Sequence, residues 1–352
     1  MSLQMGECLV KAWLWKGVNQ LEMVELPIPA CPDGWVRIRV HGAGVCSTDV
    51  HILRGRFFNG SPPHVLGHEI AGEVVALGHK VPAEWLGKRV VVETAVGCGQ
   101  CLHCRSGNKH LCDHGAEIGF PPYQGGYAEY TIAPWSCLHE LPGGMTYDEA
   151  GILEAVACPV GAVQRIGMAL GETVFIAGAG AAGLSFIQAA KAFHARKIIV
   201  SVRRDIRAKQ AYEFGATTVV DIRRENLPER ILEETGGEGV NLAIDAVGAS
   251  GTIQDCVAAC RKGGRVLLYG LPDENEAITI PVSLIIMRQL RLYGVTNNEM
   301  IWDPLLELVK DGTINISRMV THTFGMEQLP QAMELVETHS DSLIKAVLHP
   351  LC

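Results

Sequence analysis

Residues 173–190 read TVFIAGAGAAGLSFIQAA, and the fold turns on how that run is parsed. Taken as one apolar block, it is nearly uncharged and about long enough to span a bilayer. Taken by its punctuation, it divides. TVFIA is a β-type run, Gly178, Gly180 and Gly183 keep G-x-G-x-x-G spacing, and the residues from Ala181 onward open a helix. The second parsing gives each glycine a physical role. The first makes a tight turn, the second lets backbone approach a pyrophosphate, and the third lets helix pack on strand. The N–H groups at the start of that helix would then face the phosphates of a dinucleotide.

Downstream the same alternation continues through KIIVSV, IRAKQAYEFG, TTVVD, LPERILEETGG, NLAIDAVG, TIQDCVAACRKGG, RVLLYG and LRLYGV. Six short apolar strands separated by amphipathic helices describe an α/β fold, a doubly wound parallel sheet of the Rossmann kind. Ligands bind at the carboxyl ends of such strands, which selects Val247, Gly248, Gly270 and Leu271 as lining residues. Upstream the period changes. WVRIRVHGAGV, HEIAGEVVALG, KRVVVETAV and GYAEYTIAP alternate apolar and polar residues, as half-buried antiparallel strands of a β-rich, barrel-like region do. The tail after Val295 is too short to be a domain and is expected to return to the first one. The expected organisation is therefore a β-rich domain over 1–155, completed by 296–352, and a dinucleotide-binding domain over 156–295. At 352 residues, a single large barrel is the alternative.

The chain is 48% hydrophobic and 19% charged, with a formal net charge of −8 and no basic run longer than two residues. That balance argues against a nucleic-acid or anionic-membrane surface and for a small-molecule partner. The N-terminal residues lack a secretory pattern, so a cytoplasmic location is expected, where 12 cysteines serve as thiols or metal ligands rather than disulfides.

Two features refine the dinucleotide reading. About 20 residues past the glycine motif a carboxylate normally binds the adenosine ribose. Here the second strand ends in Val202, followed by Arg203 and Arg204. Two guanidiniums without a carboxylate suit the 2′-phosphate of NADP. The competing reading leaves both arginines solvated and lets Asp205 serve NAD from one turn later.

Cys98, Cys101, Cys104 and Cys112 follow C-x2-C-x2-C-x7-C. Four thiolates at such spacing wrap one zinc ion in a closed tetrahedral site, which staples a loop and leaves no position for substrate. An iron–sulfur cluster and free thiols are the alternatives.

Three dispersed segments complete the pattern: GVCSTDVH at 44–51, LGHEIAGEV at 66–74 and GILEAVACP at 151–159. Together with the cysteine cluster and the glycine motif, in this order over nearly the whole chain, they resemble the zinc-dependent medium-chain dehydrogenases, especially the polyol and threonine dehydrogenase branch. The resemblance implies a GroES-like β-rich domain beside the Rossmann domain, a homodimer or homotetramer, and reversible oxidation of an alcohol with hydride passing to NAD(P). It implies two zinc ions per chain. Cys46 and His68 match catalytic zinc ligands and Glu154 the third, with Cys158 as a substitute. Glu69 would coordinate transiently, and Asp49 would orient His68. Thr48 and His51 resemble the family's proton relay. Lys345 matches a basic residue that touches the pyrophosphate and the acid beside the histidine ligand, or else is a solvated lysine.

Taken singly, these residues have plain explanations: Cys46 as a buried apolar residue, His68 as a satisfied loop residue, Glu154 as a surface or capping acid, and Thr48 as a turn residue. Arg54, Arg56, Phe57 and Phe58, just past the relay, suit an anion contact with an apolar wall or ordinary loop packing. Glu154 favours a polar secondary alcohol, such as a polyol, sugar alcohol or hydroxyamino compound, by branch analogy. The alternatives to a dehydrogenase are a nucleotide-retaining dismutase or lyase on the same scaffold and a non-catalytic nucleotide-binding relative.

Overall fold

The computed structural model describes residues 9–56, 61–272, 276–296 and 300–351. Phe57 and Phe58, together with Cys8 and Cys352, lie outside the described residues. The chain forms two compact units, Met1–Ala155 with Ile316–Cys352, and Val156–Asn315. Residues 296–315, expected with the first unit, group with the second.

The first unit is built on the long strand Trp35–Val45, whose alternating burial puts Val36, Ile38 and Val40 inside. This strand pairs antiparallel with Glu69–Leu77, with Tyr130–Pro134 and with the C-terminal strand Lys345–His349. A core of Ile38, Val74, Ile118, Tyr127 and Leu348 fills the space between strands, and Leu329, Ala332, Met333 and Val336 of helix Leu329–Glu337 close it with one apolar face. The register matters for the chemistry: Gly44 lies opposite Glu69 on one side and opposite Val347 on the other.

The second unit is a six-stranded sheet, parallel at every pairing. The strands run in the order Thr218–Asp221, Lys197–Val202, Thr173–Ala177, Val240–Asp245, Cys260–Leu268 and Arg291–Gly294. The order reverses beside Thr173–Ala177, the topological switch point at which open α/β sheets bind ligands. Every residue of that strand is buried, which explains its lack of alternation in the sequence. The apolar run at 173–190 is thus strand, turn and helix Ala181–Ala192. Among the described residues no helix is long and apolar enough to cross a membrane.

Candidate active site

In the second unit the three glycines differ in what surrounds them. A Cβ on Gly178, at φ +94°, would stand 2.5 Å from Val247 Cγ2, and one on Gly183 would stand 2.1 Å from the Gly178 carbonyl oxygen. Gly180 instead faces open space, at the N-cap of helix Ala181–Ala192, with no side chain capping the first N–H groups. Two glycines therefore serve close packing and the middle one offers an anion bare backbone. Val247–Gly248 and Gly270–Leu271 cross backbone to backbone beside them, since a Cβ on Gly270 would lie 2.1 Å from the Gly248 nitrogen. Val247 and Leu271 remain 47% and 44% exposed at this edge, large apolar side chains on which a ligand can rest.

Asp245, which no sequence motif marks, anchors that turn. Its buried carboxylate accepts hydrogen bonds from the Val247 and Gly248 N–H groups (3.2 and 2.9 Å) and from the Thr252 hydroxyl (2.8 Å). Val202 is buried at the end of its strand and Arg203 is exposed. The Asp205 carboxylate accepts from Arg223 (2.6 Å) and Arg224 (3.4 Å).

Among the described residues of the first unit, two groups of side chains could each hold a metal ion. The sulfurs of Cys98, Cys101, Cys104 and Cys112 all lie within 4.8 Å of one another. Backbone N–H groups of Cys98, Cys101 and Cys104 each donate to a neighbouring sulfur at 3.4 Å. N–H groups of Gln100 and Cys101 pull the Cys98 thiol down to about 6. Such a thiolate nest fits a closed, structural zinc site.

The second group is Cys46, His68 and Glu69, again with ligand atoms within 4.8 Å. Cys46 stands at the N-cap of helix Ser47–Leu53, and Thr48 Oγ1 is 3.6 Å from its sulfur. His68 Nδ1 lies 3.3 Å from Asp49 Oδ1, so the Nδ1–H faces a carboxylate and Nε2 is left with a lone pair for a metal. Burial pushes the His68 pKa down, but the Asp49 and Cys46 charges hold it well above the ordinary value. The ring also stacks on Phe120, centroids 5.0 Å apart. Asp49, fully buried, is itself held by the Gly67 N–H (3.3 Å) and the Tyr127 hydroxyl (2.8 Å). Tyr127 escapes a reading of the sequence because GYAEYTIAP looks like an ordinary strand, and nothing local ties that phenol to a residue 78 positions away.

The carboxylate gathered with Cys46 and His68 is that of Glu69, the residue expected to coordinate transiently. Glu154 is buried on helix Leu153–Arg165, yet its carboxylate is outside this group, as is Cys158 one turn further along the helix. Glu69 is inside it. The reason is cross-strand: Lys345 Nζ donates to Glu69 Oε1 at 2.6 Å and to the Val45 carbonyl at 3.3 Å, while the missing side chain of Gly44 leaves room for Oε2. Oε2 is buried and has no hydrogen-bond partner. Lys345 is thus a buried partner of Glu69 rather than a solvated lysine. Burial lowers its pKa, but Glu69, Cys46 and Glu154 together raise it above the usual value. Two buried carboxylates, Glu69 and Glu154, and the Cys46 thiol act on the one Lys345 ammonium, an anionic excess that a divalent cation would neutralise. The residues fit a zinc ion.

His51 is half-buried on the helix that carries Thr48, three residues on. Arg54 and Arg56 are engaged by Glu337, Arg54 through Nε and Nη2 at 2.9 and 2.6 Å and Arg56 at 3.2 Å.

Residues 32–143 match the alcohol dehydrogenase GroES-like domain family and residues 181–311 the zinc-binding dehydrogenase family. The chain is 31% identical to a sorbitol dehydrogenase of Bacillus subtilis, over 97% of each chain. It is 33% identical to a D-arabitol-phosphate dehydrogenase of Enterococcus avium, over 91% of this chain and 92% of that one. It is also 33% identical to an L-threonine 3-dehydrogenase of Bacillus licheniformis, over 88% and 90%. Among solved structures, an Escherichia coli alcohol dehydrogenase complexed with NADH superposes with a TM-score of 0.91 at 27% identity, covering 98% of this chain and all of that one. A Sinorhizobium meliloti zinc-binding dehydrogenase bound to NADP superposes with a TM-score of 0.90 at 28% identity over the same shares. With an open Cys–His–Glu group, a four-cysteine staple and a glycine-lined dinucleotide turn in place, the chain belongs to the zinc-containing medium-chain alcohol dehydrogenase superfamily, as an NAD(P)-dependent dehydrogenase.

Proposed function

We propose that this enzyme holds two zinc ions, prefers NADP, and reversibly oxidises a polar secondary alcohol of the polyol, sugar-alcohol or hydroxyamino class. The observation that carries the reading is the buried group of Cys46, His68 and Glu69, a thiol, an imidazole and a carboxylate gathered within 4.8 Å. Three ligands leave a fourth position open, as a catalytic site requires and the four-cysteine group does not allow. Zinc there supplies Lewis acidity, lowering the pKa of a hydroxyl toward neutrality.

The chain's own residues do the remaining work. Asp49 and Tyr127 fix the plane and tautomer of His68. Lys345 holds Glu69. Thr48 receives the substrate proton and hands it toward His51, both being groups that donate and accept. Asp245 holds the Val247–Gly248 turn against the glycine motif and so shapes the nucleotide bed. Glu154, close enough for its charge to act on Lys345, is a reserve carboxylate for the same metal.

The relatives' names cover a polyol, a polyol phosphate and a hydroxy amino acid, which supports the substrate class. Engagement of Arg54 and Arg56 by Glu337 favours an uncharged polyol over a phosphate ester. Arg203 and Arg204 beyond the buried Val202 support NADP. Among the described residues the strand Arg291–Gly294 ends the sheet, and Val282, Ile286 and Met287 of the preceding helix Val282–Arg288 are 67%, 64% and 76% exposed, which supports a homo-oligomer formed across that edge. The free thiols of the described cysteines suit a cytoplasmic setting.

The test is an oxidation screen of the zinc-loaded protein over polyols, sugar alcohols, amino alcohols and simple alkanols, with each nucleotide. Turnover of a polyol, sugar alcohol or amino alcohol with NADP is expected. A preference for simple alkanols would refute the substrate class, and a preference for NAD the cofactor reading.

A further inference from the structure

The strands Lys197–Val202 and Thr218–Asp221 are parallel neighbours, and Val202 lies opposite Asp221. Four arginines follow their ends: Arg203 and Arg204 after the first, Arg223 and Arg224 after the second. Against these stand Asp205 and Asp221, with Glu225 accepting from the Asp221 N–H at 3.0 Å and Asp255 close enough for Arg203 to act on it. Arg223 donates Nε and Nη2 to Asp221 at 2.9 and 2.7 Å and Nη2 to Asp205 at 2.6 Å. Arg224 reaches both acids at 3.4 Å.

Asp205 is the nearest carboxylate downstream of the position where an acid would receive the ribose hydroxyls, and its side chain is 70% exposed. Left alone, it would be a ready acceptor for the 2′- and 3′-hydroxyls of NAD and a repulsive neighbour for a 2′-phosphate. We infer that Arg223 and Arg224 are specificity-determining residues: they hold Asp205 in ion pairs, withdraw it from the ribose, and keep the adenosine end open to a 2′-phosphate. The inference rests on the NADP reading for its biological sense, but the withdrawal of Asp205 has its own readout.

Each of these ion pairs is exposed and individually weak, so removing Arg223, the nearer partner, frees the acid in part and neutralising both arginines frees it fully. The experiment measures dissociation constants of NAD and NADP for the zinc-loaded protein by tryptophan fluorescence at fixed ionic strength. The proteins compared are wild type, Asp205→Asn, Arg223→Gln/Arg224→Gln, and the triple variant. A freed carboxylate adds a charge-assisted hydrogen bond to NAD, so the double variant should bind NAD about tenfold tighter than wild type. That gain should vanish in the triple variant, and Asp205→Asn alone should stay within about twofold of wild type because its target is already occupied. Unchanged or weaker NAD binding in the double variant would overturn the inference, as would a gain that survives Asp205→Asn. A wild type that prefers NAD would sink the NADP reading, while the Asp205-dependent gain would still decide this one. Thermal unfolding checks that the variants are folded. Should the double variant fail to fold, Arg223→Gln alone should give a gain of about threefold, again abolished by Asp205→Asn.

Discussion

Replacing Gly44 by alanine tests the metal group at the point where the fold constrains it most. Gly44 and Glu69 face each other across antiparallel strands. A Cβ at position 44 would stand 1.9 Å from Glu69 Oε2, 2.8 Å from its Cδ and 2.6 Å from the Gly151 carbonyl oxygen, where 3.0 Å is the closest real contact. The carboxylate would have to retreat by about 1 Å, and its 2.6 Å bond to Lys345 cannot follow, because Lys345 is also tied to the Val45 carbonyl. Breaking a buried ion pair while leaving one charge behind costs about 3–5 kcal/mol. For a chain of 352 residues the melting temperature should fall by roughly 5 °C. Zinc content should fall with it, since Glu69 leaves the ligand group. Differential scanning calorimetry and metal analysis read the two effects. The double variant Gly44→Ala/Glu69→Ala should be less destabilised than the two single changes added together, because the Glu69–Lys345 pair is lost only once and the Gly151 carbonyl is the one clash left. An alanine variant that keeps its melting temperature to within about 2 °C and retains both zinc ions would refute the placement of Glu69.

Other consequences follow from buried groups that sequence motifs do not mark. Tyr127→Phe leaves an Asp49 oxygen without its donor and should weaken chelator-resistant zinc binding about tenfold to a hundredfold, with the four-cysteine ion unaffected; equal zinc retention in variant and wild type would exclude the role. Asp245→Ala leaves the Val247 and Gly248 N–H groups unpaired and should weaken nucleotide binding at least about tenfold at constant zinc content, with Asp245→Asn restoring part of it; the outcome against it is an unchanged nucleotide Kd. His64 is 2% exposed and Tyr123 O lies 3.1 Å from its Nε2, and burial lowers its pKa to about 4. With the folded value depressed below the unfolded one, its contribution is fully present above about pH 6.5 and is lost as pH falls through 4, about 3 kcal/mol in all. Urea titrations of His64→Gln between pH 7 and 4 should therefore show a shallower loss of stability than wild type, and parallel curves would contradict the assignment.

How much of this could be read in the sequence follows from how local each interaction is. The six parallel strands and the glycine turn could be read because the motif spans six consecutive residues and the strand–helix period is repeated around it. The cysteine nest could be read because its four ligands fall within one loop. The metal group was legible in its members but not in its arrangement. Glu69, rather than Glu154, enters it through a glycine on one neighbouring strand and a lysine from the C-terminal strand, and this pairing is fixed by register. Tyr127 acts only through Asp49, 78 positions away, and Asp245 through N–H groups two and three residues on, a turn pattern that many surface aspartates share. Arg54 and Arg56 looked available until helix Leu329–Glu337 brought Glu337 onto them, and Asp205 until the neighbouring strand delivered Arg223 and Arg224.

The proposed open metal position rests on Cys46, His68 and Glu69, which the fold gathers apart from the four-cysteine group. Zinc analysis of the folded protein beside its Cys46→Ala variant decides whether that assembly exists. Two ions per chain are expected in the first and one in the second, at unchanged fold. A single ion that Cys46→Ala leaves bound would show that no metal occupies the Cys46, His68 and Glu69 group.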